Sequence, residues 1–468
     1  MNLLLKIVLR SLLRNRRRSI MTGSAVAAGS LALLLFGGFT HYIFSGLETG
    51  NVQRNGHLTV FHSGYFLFGD GNPAAYGISD YRGVMKLIRA DPVLQPMINV
   101  LTPTQSVVGI AGNFSGAVDA SKTFLGIGVI PSDRERMRLW DPYDTRAGQA
   151  PETRMVDTQE SVGLIGFGMA RVLGLCGPLR LQGCPPMPDM SAARDDKSPV
   201  NADVLDLANR DTTAQAGTTI DSPQIQLLAA TADGAPNVVS LMVAGVERQG
   251  VRELDDNYVI MNLPLAQQLV YGRGEHKVTG IVLQLERTSQ MPAARARLAT
   301  LIRQHRLPLE IRDFSDLNPF YGQVVRLFSG IFLFIALVMG MIVLFAVVNT
   351  MTMNVMERTN EIGTTRALGV RRSGIRRQFL LEGMLTGVIG AAIGSLLAIV
   401  VSLAVNHAGL TWIPPGNAQA IPLRVDVLGE PGLIIGAWLG LVLVATLAAL
   451  LPANRAARLS VVDALRHV

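Results

Sequence analysis

The sequence predicts an α-helical membrane domain of four spans, with a large α/β (α+β) domain inserted between the first span and the second. Three observations carry this. Charged residues make up only 16% of the 468-residue chain and hydrophobic ones 49%, whereas an ordinary soluble chain is about 25% charged. Four apolar stretches are each long enough for a bilayer core of about 30 Å, which takes roughly 20 helical residues. The arginines gather beside those stretches, where membrane orientation uses them. The net charge of +7 is therefore read as topology and not as nucleic-acid binding. Aromatic residues are only 6%, and no basic patch with interleaved stacking rings is present.

The spans are residues 20–44, 327–348, 383–405 and 433–451. Backbone groups in lipid must bond within their own segment, so these runs are read as helices. The first is longer than the 7–15 residues, roughly, of a signal-peptide core, and is read as an uncleaved anchor. Lys and Arg mark the cytoplasmic side. Lys6, Arg10, Arg14, Arg16, Arg17 and Arg18 precede the first span. Arg358, Arg366, Arg371, Arg372, Arg376 and Arg377 lie between the second and third, and Arg455, Arg458 and Arg466 follow the fourth. Both termini are thus expected inside and the long insert outside.

The expected division is a basic N-terminal segment (1–19), the first span (20–45), the outer domain (46–322), the second span with an outward stalk (323–350), a cytoplasmic segment (351–379), the third span (380–406), an outer loop (407–431), the fourth span (432–452) and a tail (453–468). In the third span Gly383, Gly387, Ala391 and Ser395 recur every four positions, and Gly390 and Gly394 form a second ladder. Such ladders let helices approach closely; the alternative is that glycine is simply frequent in membrane helices.

In the outer domain, residues 57–62, 97–110, 116–130, 225–231, 237–246, 257–263, 278–285 and 307–314 alternate or cluster as strands, with a turn at Gly112 and Asn113. Residues 78–90, 263–271 and 291–305 have helical spacing. The stretch 278–314 reads as a βαβ unit. Residues 185–222, rich in Pro, Asp, Ser and Thr, read as a loop or insertion. The chain's two cysteines, Cys176 and Cys184, lie close together in the outer segment. An oxidising compartment favours a disulfide over two buried thiols. His57 and His62 are read as ordinary polar positions.

No P-loop, H-E-x-x-H or G-x-S-x-G motif occurs. The spans hold almost no ionisable residues, unlike ion-coupled carriers. No catalytic or metal-ligating set is assigned, and any energy for transport is expected from a cytoplasmic partner.

The segment 349–394, NTMTMNVMERTNEIGTTRALGVRRSGIRRQFLLEGMLTGVIGAAIG, resembles the cytoplasmic coupling segment of FtsX-like permeases, the MacB and LolC/LolE kind. Glu357, Arg358, Glu361, Ile362, Gly363, Arg366, Ala367, Gly369, Ile375, Phe379 and Glu382 match its pattern. Residues 452–466 resemble the family's ending, with Val461 where that pattern has Pro and Asp463 where it has Glu.

The resemblance implies a type VII (mechanotransmission) ABC transporter permease of the bacterial inner membrane, with a periplasmic MacB-like domain. It implies no cofactor on this chain, and ATP and Mg held by a partner ATPase. The expected partners are two copies of that ATPase, a second permease chain (identical or a paralogue), membrane lipid, and a periplasmic or outer-membrane accessory protein. The cargo is expected to be lipophilic or peptidic. The alternative is an FtsX-like signalling permease that regulates a cell-wall hydrolase. Glu357, Arg358, Glu361, Gly363, Arg366, Gly369 and Glu382 are the expected ATPase-coupling residues. On its own charge pattern the segment equally suits a basic helix on anionic headgroups.

Overall fold

The computed structural model describes residues 8, 10–14, 16–69, 73–114, 120–144, 155–184, 223–249, 252–272, 276–413 and 420–459. The expected loop at 185–222, Lys6, and Val461, Asp463 and Arg466 of the family-like ending lie outside the described residues. Two compact units are present, a helical one and a sheet-rich one running Thr49–Asn318.

Helix α1 (Arg16–Asn55) has 40 residues. At 1.5 Å per residue it rises about 60 Å, roughly twice a hydrocarbon core. It therefore continues well past the span expected at 20–45.

The sheet-rich unit holds β1 (Leu58–His62), α2 (Tyr81–Ala90), β2 (Ile98–Asn113), β3 (Ala120–Val129), α3 (Pro131–Arg138), β4 (Val162–Ile165), α4 (Phe167–Val172), β5 (Gln224–Ala230), β6 (Pro236–Val246), β7 (Tyr258–Asn262), α5 (Leu263–Tyr271), β8 (Gly280–Leu285), α6 (Met291–Gln304) and β9 (Leu309–Asp313). Strand β2 belongs to two layers. Its first half pairs with β8, which continues to β1 and β9. β1 is antiparallel to both β8 and β9. The βαβ unit read from the sequence is therefore split, with β1 inserted between its two parallel strands.

The second half of β2 pairs with β3 on one edge and β5 on the other. From β3 the ladder runs through β7, β4 and β6 back to β5. Six strands thus close on themselves, and closure removes the exposed edges that an open sheet would leave. β5 alternates strictly between exposed and buried. Its Ile225, Leu227 and Ala229 meet Leu241 of β6, Val259 of β7 and Leu265 and Leu269 of α5 in one core. A second core lies under α2 and α6. There Asp80 accepts a hydrogen bond from the Gly83 N–H to start α2, whose Tyr81, Val84, Met85 and Ile88 face inward.

The turn expected at Gly112 and Asn113 is corrected. Both residues sit in strand β2, opposite Ser121 and Ala120. β4 was not expected: VGLI is four residues long and runs into Gly-Phe-Gly. Cys176 and Cys184 are joined by a disulfide, with Cα atoms 6.2 Å apart. His57 is no ordinary polar position. It is fully buried, its Nδ1 accepts the Leu285 N–H at 2.9 Å, and its Nε2 lies 3.0 Å from Thr288 Oγ1.

The helical unit continues with α7 (Pro319–Glu357), α8 (Thr359–Ala367), α9 (Arg372–His407) and α10 (Pro431–Arg458). Helices α1, α7, α9 and α10 are long and apolar enough to cross a membrane. Thr22 donates to Thr350 at 2.7 Å, joining α1 to α7.

The α9 glycines divide their work by face. A Cβ on Gly383 would meet the Ala449 Cβ at 2.5 Å, and one on Gly387 the Ala445 Cβ at 2.9 Å, both on α10. A Cβ on Gly390 would meet the Val26 Cβ at 2.7 Å, and Gly394 abuts the Ala27 carbonyl and Ser30, all on α1. Glycine here lets two helix backbones approach α9 at once.

Candidate functional site

The segment linking the second and third spans is a folded knot. Val355 of α7, Ile362 of α8, Ile375 and Phe379 of α9, and Ala453 and Ala456 of α10 form its core. The sequence predicts one helix across 353–368, but α7 ends at Glu357 and α8 begins at Thr359. At the break Thr359 Oγ1 donates to the Met356 carbonyl at 2.7 Å and lies 3.2 Å from that of Val355.

Arg358 turns inward at the break and is 6% exposed. Its Nη1 lies 3.5 Å from Glu382 Oε2 and its Nε 3.9 Å from Glu361. Glu382 is 1% exposed, and Ser11 Oγ donates to its Oε1 at 2.9 Å. Arg14 Nη2 donates to both Glu361 oxygens at 2.8 Å. That contact raises the already high Arg14 pKa, so the guanidinium stays charged at any physiological pH. Arg18 pairs with Glu357.

The other expected site residues occupy different places. Gly363 is buried inside α8. Arg366 donates to the Leu459 carbonyl at the end of α10, a favourable place for a cation. Gly369 has φ of +96°. Its N–H bonds the Arg366 carbonyl while that of Val370 bonds Thr365, the pair of bonds that stops a helix on glycine. The stop leaves Leu368 83% exposed, with Val370 also exposed beside it.

Sequence reasoning missed Ser11, Arg14 and Arg18 as members of this site, having read the two arginines for topology alone. It also passed over Leu368 and Val370, though two apolar residues flanking a helix-stopping glycine, among arginines, are a legible sign. Among the described residues no cluster of three or more His, Cys, Asp or Glu is suited to a metal.

Four helices long and apolar enough to cross a membrane, a sheet-rich insert between the first and second, and a charge-braced loop between the second and third define a polytopic membrane protein. Residues 333–461 match the family described as FtsX-like permease C-terminal, so the chain carries an FtsX-like permease domain. It is 30% identical over 192 residues to a macrolide export ATP-binding/permease protein MacB of Rhodopirellula baltica, covering 40% of this chain and 26% of that protein. It is 28% identical over 246 residues to the lipoprotein-releasing system transmembrane protein LolC of Neisseria meningitidis, covering 50% of this chain and 56% of that one. The chain thus spans between a quarter and a little over half of these curated relatives. Among solved structures, the periplasmic region of MacB from Actinobacillus actinomycetemcomitans is similar at 13% identity and TM-score 0.30, over 58% of this chain and 95% of that one.

Proposed function

We propose that this chain is the permease subunit of an ABC transporter complex of the bacterial inner membrane. ATP hydrolysis on two partner ATPase subunits, which also hold the Mg, drives conformational change in the sheet-rich unit on the periplasmic side. The observation that carries the reading is the knot. α8 is held rigidly by its core and braces, and it presents an exposed apolar tip at Leu368 and Val370. A rigid helix with such a tip suits a cleft on a soluble ATPase. The spans act as levers and packing surfaces: their contacts are mainly apolar, close at the α9 glycines, and tied by hydroxyls such as Thr22 and Ser30. Both termini are cytoplasmic, the chain acts with a second permease copy or a paralogue, and the cargo is lipophilic or peptidic.

A domain with two cores and a closed ladder is more than a signalling tether needs, which supports transport over hydrolase regulation. Affinity purification of the full chain from its native membrane is expected to recover a P-loop ATPase. Glu361→Lys is expected to lower that recovery severalfold at equal permease yield. Full recovery with Glu361→Lys would remove the residue from the docking surface, and no ATPase with the wild-type chain would end the reading.

A further inference from the structure

Ahead of the first span the chain is helical over residues 10–14 and again from Arg16. Ser19 Oγ donates to the Leu12 carbonyl at 3.1 Å and Arg16 Nε to that of Leu13 at 3.3 Å. These bonds tie the N-terminal arm, residues 10–14, to the start of α1. Three side chains, two from the arm and one from α1, reach the knot: Ser11 to Glu382, Arg14 to Glu361 and Arg18 to Glu357. Each of the three acceptors sits on a different helix, α9, α8 and α7.

Charge alone would serve orientation wherever in the arm it lay. Orientation does not require two arginines each to meet a carboxylate of the loop, nor a serine to meet a carboxylate buried in α9. Helices α1 and α7 are also the two whose far ends lead along the chain into the sheet-rich unit. α7 is joined to α8 through Arg358 alone, whereas α1 has no covalent link to it.

We infer that the arm is a brace making α1 move with the coupling helix, and that Ser11, Arg14 and Arg18 are positioning residues for coupling. When α8 shifts, α7 follows through the chain and α1 follows through the Arg14–Glu361 contact, while the contacts of Ser11 with α9 and of Arg18 with α7 hold the arm in register. Both helices that enter the sheet-rich unit are then driven together. The direction of force rests on the function proposed above; the brace itself does not.

Two readouts on the full chain in native membranes separate these. In the first, Arg18→Cys with Glu357→Cys is bridged by a short bifunctional thiol reagent. Bridging is expected to be efficient, to fall about two- to fivefold when Arg14→Glu or Glu361→Arg is added, as for an exposed ion pair, and to return when both are added and the charges are exchanged. In the second, without the cysteine changes, ATP turnover by the co-purified ATPase is expected to fall with Arg14→Glu, which leaves Glu361 of the docking surface in place. Unchanged bridging with Arg14→Glu, or no recovery with the exchanged pair, would overturn the brace. Recovery of bridging with no ATPase activity in any variant would leave the brace standing and overturn the proposed function.

Discussion

His57 shows how one buried group makes a fold sensitive to pH. Its ring stands edge-on to Trp140, with centroids 4.9 Å apart, and burial lowers its pKa from 6.5 to about 4. The unfolded chain therefore binds the proton first as pH falls. Stability contributed by the neutral ring is complete above pH 6.5 and is lost on acidification towards 4, by up to about 3 kcal/mol. Thermal unfolding followed by tryptophan fluorescence should show this loss between pH 7 and 4.5, and His57→Asn should flatten it; an equal slope in the variant would remove His57 as the cause. The sequence hid this role because the partner, the Leu285 N–H, is 228 positions away. Glu382 is a second case. Its family-matching position was legible, but not that it faces Arg358 inside the protein. Glu382→Leu leaves the buried Arg358 cation with only its longer contact to Glu361 and should cost up to about 3–5 kcal/mol. Adding Arg358→Met should recover most of it in a denaturation series, and no recovery would mean that the two are not a pair.

Among the elements, those with a clear period were legible. The ends of β5, β6, β7, α5, β8 and α6 lie within a residue or two of their sequence-based limits, because alternation and helical spacing are local signals. Closure of the six-strand ladder was not legible, since pairing of β2 with β5 and of β4 with β6 and β7 joins segments far apart in the chain. β4 had too few residues to show a period. The α9 glycines sit between. Their spacing announced close packing, but only the structure assigns Gly383 and Gly387 to α10 and Gly390 and Gly394 to α1. A leucine at Gly390 must push α1 from α9, an overpacking cost of about 1–3 kcal/mol or more. Gly330→Leu in α7 meets open space and should be tolerated. Comparison of detergent-solubilised yield and melting temperature for the two variants checks this, and equal losses would contradict the packing assignment.

For the molecule as a whole, the four spans and the place of the insert could be read from hydropathy, because lipid permits so few backbone solutions. The likeness of residues 349–394 to FtsX-like permeases was legible, and residues 333–461 match that family. The segment's internal wiring was not legible, because Arg14 and Glu361 are 347 positions apart and the arginines already had a sufficient explanation in membrane orientation. What remains to be tested is whether α8 and its tip meet an ATPase. A photo-crosslinking amino acid at position 368, in the full chain in native membranes, addresses this with one measurement read by mass spectrometry. An adduct with a P-loop ATPase is expected, strengthened when the nucleotide is trapped on it. Adducts with lipid alone, or with a periplasmic protein, would contradict it.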